Sequence, residues 1–264
     1  MARVAVNDTE LHYETQGDGP SLILVHGSWG DTMNWVLLAP KLAESYRVIA
    51  YDRRGHGQSA KPGDGPRATD EDDLVAVIRE LAGGTAIAVG NSFGASVVLG
   101  AAARYPDAFS RIACHEPPLW ALAPTDDEVL AEQRRLLKAV LPLIEQGRNA
   151  EAAERFVEDV ALGKGHWAQL PEVVRQRFID HAPTFLNEQS DPDWDKLDTS
   201  RFAAYGGPCL LSNGSESPPL FSKIIDAIAA AAPITRQTIP GAGHIPHMTH
   251  PDDLAAVLRD FLSD

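Results

Sequence analysis

Gly90-Asn91-Ser92-Phe93-Gly94 reads G-x-S-x-G and lies between an apolar, strand-like run at 85–89 and a helical pattern that begins at Phe93. Five residues of this kind occur by chance, so the context carries the argument. A strand that enters a helix through so sharp a turn strains the central residue's backbone, and the flanking glycines leave room for the close approach. The hydroxyl of Ser92 is then held clear of the sheet, at the positive end of a helix. That is the setting of a nucleophile. Val25-His26-Gly27-Ser28-Trp29-Gly30 follows a second apolar strand. A loop in this place supplies one backbone N–H to an oxyanion hole, and the residue after the nucleophile supplies the other. Ser28 and Phe93 are those residues. His26 is read as a brace for the loop, because one mobile base is sufficient.

A base must follow in the chain. Gly241-Ala242-Gly243-His244-Ile245-Pro246-His247-Met248-Thr249-His250-Pro251 lies between the last strand and the last helix, and the order of nucleophile first and His last matches a serine triad on a strand-loop-helix framework. His244 is therefore the expected base. Three histidines at spacing three also invite a metal reading, but Pro246, Pro251 and the glycines break the regular structure that would fix ligand geometry. No metal and no organic cofactor is expected.

These residues need a frame. Strand-like runs at 3–6, 11–15, 21–25, 46–51, 85–89, 111–115, 208–212 and 234–239 alternate with helical patterns at 31–43, 70–81, 93–104, 217–231 and 251–262. Strands alternating with helices predict a mostly parallel, doubly wound α/β sheet. In such a sheet ligands bind beyond the carboxyl ends of the strands, where Ser28, Ser92 and His244 all fall. From 117 to 198 there is no good strand, only helical patterns such as 128–145 and 150–161. We expect a helical cap there, inserted between a first core part at 1–116 and a second at 199–264.

At 264 residues and 44% hydrophobic content the chain can bury one large core. A net charge of −14, from 23 basic and 37 acidic residues, argues against nucleic acid or an anionic membrane surface as partner. No basic leader precedes an apolar run, and no stretch of eighteen apolar residues occurs, so a soluble, cytoplasmic protein is expected. Cys114 and Cys209 lie in apolar strand-like runs and read as buried side chains. The oligomeric state is not legible.

With Asp52-Arg53-Arg54-Gly55-His56-Gly57-Gln58-Ser59 added, the Val-His-Gly loop, the serine elbow and the Gly-x-Gly-His segment resemble the α/β-hydrolase superfamily over essentially the whole chain outside the cap. The resemblance implies an eight-stranded α/β-hydrolase fold and a triad mechanism. Dehalogenases and epoxide hydrolases of this fold carry Asp at the elbow, so Ser92 argues against both. Asp52, Arg53 and Arg54 read as a structural turn.

The acid departs from the family pattern. Many members place Asp three residues after the Gly that follows the penultimate strand, where this chain has Gly214-Ser215-Glu216-Ser217. Glu216 is one alternative. The other is Glu116, in Cys114-His115-Glu116-Pro117, directly after the strand that follows the elbow helix. That arrangement resembles the zearalenone-type lactone hydrolases, which also read Cys-His-Glu here. Glu116 is preferred, because a carboxylate at a strand end is held more rigidly than one on a loop tip. The expected activity is hydrolysis of a hydrophobic small-molecule ester or lactone, with Trp29, Trp35, Trp120, Leu122, Trp167 and Phe185 as candidate binding residues and Trp29 reading equally well as core. A carbon–carbon bond hydrolase acting on a diketone, or a slow-turnover ligand receptor, would keep the same frame.

Overall fold

The computed structural model describes residues 2–60 and 65–263. Eight strands form one sheet: β1 (Ala2–Val6), β2 (Thr9–Gln16), β3 (Ser21–Val25), β4 (Arg47–Tyr51), β5 (Ala86–Asn91), β6 (Phe109–His115), β7 (Cys209–Gly214) and β8 (Thr235–Ile239). Their order is β1-β2-β4-β3-β5-β6-β7-β8. The first hairpin and the β2–β4 pair are antiparallel, and every later neighbour pair is parallel.

The strands obey the period of two that extended backbone imposes. Ile23, Val25, Ile49 and Tyr51 enter the core on one face. Leu22, Leu24, Val48 and Ala50 enter the core on the other. Helices cover both faces, which is why the parallel strands are apolar on both sides. Arg67–Ala82 and Phe93–Arg104 cover the first face, and Pro251–Ser263 covers the second. β3 sits between β4 and β5, so the chain winds outward in one direction after β3 and resumes on the other side at β5. The crevice at that switch point lies between the loops that follow these two strands.

The segment expected to form one helix at 31–43 is instead a 3-10 turn, Thr32–Trp35, and a single α turn, Ala39–Leu42. Asp31 caps the 3-10 turn by accepting from the Met33 N–H. Pro40 lies in the first turn of Ala39–Leu42, where its missing N–H is harmless; a helix running through from residue 31 would need that N–H.

Between β6 and β7 the described chain is helical, with Glu128–Glu145, Asn149–Phe156, His166–Gln169, Glu172–Ser190 and Thr199–Phe202. The expected helix at 150–161 ends early, its last five residues, Val157–Ala161, being wound as a π turn. Glu128–Glu145 buries Leu130, Leu137, Val140 and Ile144, a helical stripe. These side chains join the same apolar cluster as Phe93 and Trp29, so the inserted helices share the core of the first sheet face.

Candidate active site

Ser92 joins β5 to the helix Phe93–Arg104 at φ 55 and ψ −127. A positive φ costs a non-glycine residue about 1–3 kcal/mol and persists only where the surroundings impose it. Here they do: Ser92 N–H donates to the His115 carbonyl at the end of β6, 2.9 Å away. A side chain at Gly94 would collide with the carbonyls of Val25 and His26, and one at Gly27 would lie 2.8 Å from Ser92 Cβ. The elbow can therefore approach the β3 loop only with glycine at both positions. Among the described residues, four non-glycine residues have positive φ: Asn7, Trp29, Ser92 and Glu116. Three of the four stand at the ends of β3, β5 and β6, side by side in the sheet, and strain of this kind clusters at functional sites.

Glu116 follows β6 and is fully buried. Its Oε2 accepts from His244 Nδ1 at 2.7 Å, and its Oε1 accepts from the Gly214 N–H at 2.8 Å. Burial alone would push the Glu116 carboxyl up. The hydrogen bond and charge of His244, aided by His115, outweigh burial and hold it down at about 2. Glu216 is exposed, with Ser215 Oγ donating to it at 3.0 Å. His244 stacks face to face on Phe221, their centroids 5.1 Å apart, and its carbonyl accepts from Asn91 Nδ2 at 2.9 Å, which ties the His loop to the elbow. His115, beside Glu116, lies 3.0 Å from Ser212 Oγ and 3.3 Å from the Gly243 carbonyl. Burial pushes its pKa down to about 4, and its hydrogen bonds brace β6, β7 and the His loop.

The β3 loop is pinned from behind. His26 Nδ1 donates to the Gly27 carbonyl at 2.8 Å, and its Nε2 accepts from the Arg53 N–H at 3.0 Å. Arg53 is 1% exposed. Its Nε donates to the His26 carbonyl at 3.1 Å, its guanidinium lies 4.9 Å from the centre of the Phe93 ring, and Glu188 accepts from its Nη2. Arg53 thus belongs to a turn, as expected, and also reaches the site. Glu188 has no local sequence signal.

The six candidate binding residues separate. Trp35 is 1% exposed and belongs to the apolar cluster of Leu22, Leu24 and Leu258 on the second sheet face, its ring centroid 4.8 Å from that of His247. Trp29 and Phe185 are buried in an aromatic cluster with Phe156, with 4.8 Å between the Trp29 and Phe185 ring centroids. Trp167 packs edge-on to Phe178 within the insert. Trp120 and Leu122 form a turn that contacts the helix carrying Phe221, the apolar wall beside His244. Phe221 was not singled out from sequence, where it lies in an ordinary helical pattern. His247 is buried against Trp35, and His250 Nδ1 lies 3.0 Å from Thr249 Oγ1, so the three histidines of the loop face different surroundings. Cys114 and Cys209 are buried, and burial pushes the Cys209 thiol up to about 12, the wrong direction for a nucleophile. No described helix is long and apolar enough to cross a membrane.

Comparison with known proteins agrees with this architecture. Residues 22–257 match the alpha/beta hydrolase family, and the chain belongs to that family. It is 41% identical over 106 residues to a 2-(acetamidomethylene)succinate hydrolase of Mesorhizobium japonicum, a match covering 40% of this chain and 38% of that protein. It is 33% identical to a pyrrolizixenacetamide deacetylase of Xenorhabdus hominickii, covering 99% of this chain and 98% of that protein. The solved structure of an alpha/beta hydrolase from Sphaerobacter thermophilus superposes with a TM-score of 0.80 at 29% identity, covering 99% of this chain and 100% of that one. Three curated relatives are matched over only 38% to 65% of their length.

Proposed function

We propose that this protein is a serine hydrolase that cleaves a hydrophobic carboxylic ester or lactone through an acyl-enzyme, with Ser92 as nucleophile, His244 as base and Glu116 as acid. The observation that carries the reading is the buried Glu116 carboxylate, 2.7 Å from His244 Nδ1, on loops that converge with the strained Ser92. Glu116 keeps the Nδ1 proton in place, which leaves Nε2 free to take the Ser92 proton, and it stabilises the imidazolium that forms. Ser92 Oγ attacks the acyl carbon, and the developing oxyanion takes hydrogen bonds from the N–H groups of Ser28 and Phe93. His244 returns the proton to the leaving oxygen. Water, deprotonated by His244, then releases the acid and restores Ser92.

The helices of 117–198 act as a cap over this centre, and Phe221, stacked on His244 from a helix that the Trp120–Leu122 turn contacts, favours a hydrophobic substrate. The Cys-His-Glu sequence, shared with lactone hydrolases, leans toward a lactone. A fluorophosphonate should label Ser92, and Ser92→Ala should abolish hydrolysis of an activated phenyl ester without unfolding the protein. Labelling at another serine, or full turnover in the variant, overturns the reading. A panel of lactones and β-diketones tests the substrate class.

A further inference from the structure

We infer that Glu188, from the inserted helix Glu172–Ser190, is a positioning residue that aims the Ser28 N–H of the oxyanion hole. The inference rests on the proposed hydrolase reading. Gly27 and Ser28 share one peptide plane, in which the carbonyl of Gly27 and the N–H of Ser28 point in opposite directions. The Gly27 carbonyl is held from behind by two donors, His26 Nδ1 at 2.8 Å and Arg53 Nη2 at 3.3 Å. The Ser28 N–H is thereby turned the other way, from a loop that abuts Ser92 so closely that a Gly27 side chain would meet Ser92 Cβ.

Glu188 governs this arrangement through both carboxylate oxygens. Oε1 accepts from Arg53 Nη2, the same nitrogen that reaches the Gly27 carbonyl, and Oε2 accepts from Ser28 Oγ at 2.6 Å. The second acid near Arg53, Asp70, lies 3.3 Å from Nη1. Neither that nitrogen nor Asp70 Oδ1 makes a hydrogen bond, so Asp70 is the weaker anchor. Arg53 also lies over the ring of Phe93, the other proposed donor residue. One carboxylate from the insert therefore holds the side chain of one donor residue and the guanidinium that braces both. Assembly of the oxyanion hole depends in this way on the insert being seated on the sheet.

The test uses Glu188→Gln, which keeps the shape and removes the charge, and Ser28→Ala, which removes only the hydroxyl link and leaves the Ser28 N–H. Both are assayed for ester turnover, for inhibition by an aryl trifluoromethyl ketone, whose Ser92 adduct places an oxyanion in the hole, and for thermal unfolding. A complete hole donor is worth about a hundredfold or more in turnover. Glu188→Gln is expected to lower kcat by roughly tenfold or more with KM nearly unchanged, and to weaken the ketone by the same factor as kcat/KM. Ser28→Ala should show the same pattern at smaller size. A melting shift with kcat and ketone affinity both within about twofold of the parent, in both variants, would overturn the positioning role while leaving Ser92 labelling intact. Turnover surviving in Ser92→Ala would instead overturn the hydrolase reading and this inference together.

Discussion

Replacing Glu116 by Gln keeps the shape of the side chain and removes two things the structure uses. The carboxylate accepts from two donors at once, His244 Nδ1 and the Gly214 N–H. An amide has one acceptor end. If its NH2 faces His244, the imidazole must turn to the tautomer with the proton on Nε2, and the base can no longer accept from Ser92. If its NH2 faces Gly214 instead, a buried N–H loses its partner at a cost of about 1–3 kcal/mol, and the imidazolium still lacks a counter-charge. The order of magnitude follows from the pKa: lowering the carboxyl from 4.5 to about 2 against the opposing effect of burial, chiefly through His244, corresponds to a net preference of about 3 kcal/mol for the ionised form in this site. That preference is felt when the imidazolium forms in the transition state, and the lost tautomer control adds to it. We expect kcat to fall by about a thousand- to ten-thousandfold, equivalent to roughly 4–5.5 kcal/mol. Steady-state hydrolysis of a p-nitrophenyl ester, with active sites counted from the burst, measures it. Glu216→Gln, on an exposed loop, should stay within about twofold of the parent. A Glu116→Gln enzyme that retains more than a tenth of parental turnover, or a Glu216→Gln enzyme that loses a hundredfold, refutes the assignment.

Two further outcomes follow from residues outside that pair. His247 is fully buried with neither ring nitrogen hydrogen-bonded, and burial, with the charges of His115 and His244, pushes its pKa down to about 3. A histidine whose folded pKa lies below its unfolded value near 6.5 leaves stability intact above pH 6.5 and takes it away as pH falls from 6.5 toward 3. Urea unfolding of His247→Leu should therefore lose less stability between pH 7 and pH 5 than the parent does, and parallel losses would contradict this. Trp35→Phe should lower the urea midpoint, by about 1–2 kcal/mol of stability, yet leave KM within about twofold, because Trp35 is buried in a different apolar cluster from Trp29 and Phe93; a large rise in KM would make it a binding residue.

The division between what was legible and what was not follows sequence distance. Strand and helix alternation, and hence the mostly parallel doubly wound sheet, could be read because period two and period 3.6 are properties of neighbouring residues. Gly90 through Gly94 reads as an elbow for the same reason, its constraint lying within five residues. The helix expected at 31–43 failed on a local signal that was present, Pro40, which interrupts the hydrogen-bond ladder. Trp35 is different. The Asp31 cap that winds its 3-10 turn is local, but the sheet face Trp35 covers is set by packing with Leu24 and Leu258, which are distant in sequence or on another element. Glu116 and Glu216 were both admissible carboxylates in the sequence, and the folded chain brings Glu116, 128 positions away, within 2.7 Å of His244. Glu188 had no signal at all, since its partners are Ser28, 160 positions distant, and Arg53, 135 distant. By itself the sequence determined the elements and the order of the reactive groups, because those depend on short-range backbone geometry. The tertiary structure decided which carboxylates meet which donors, because a buried charge is stabilised only by partners that the folded chain brings to it.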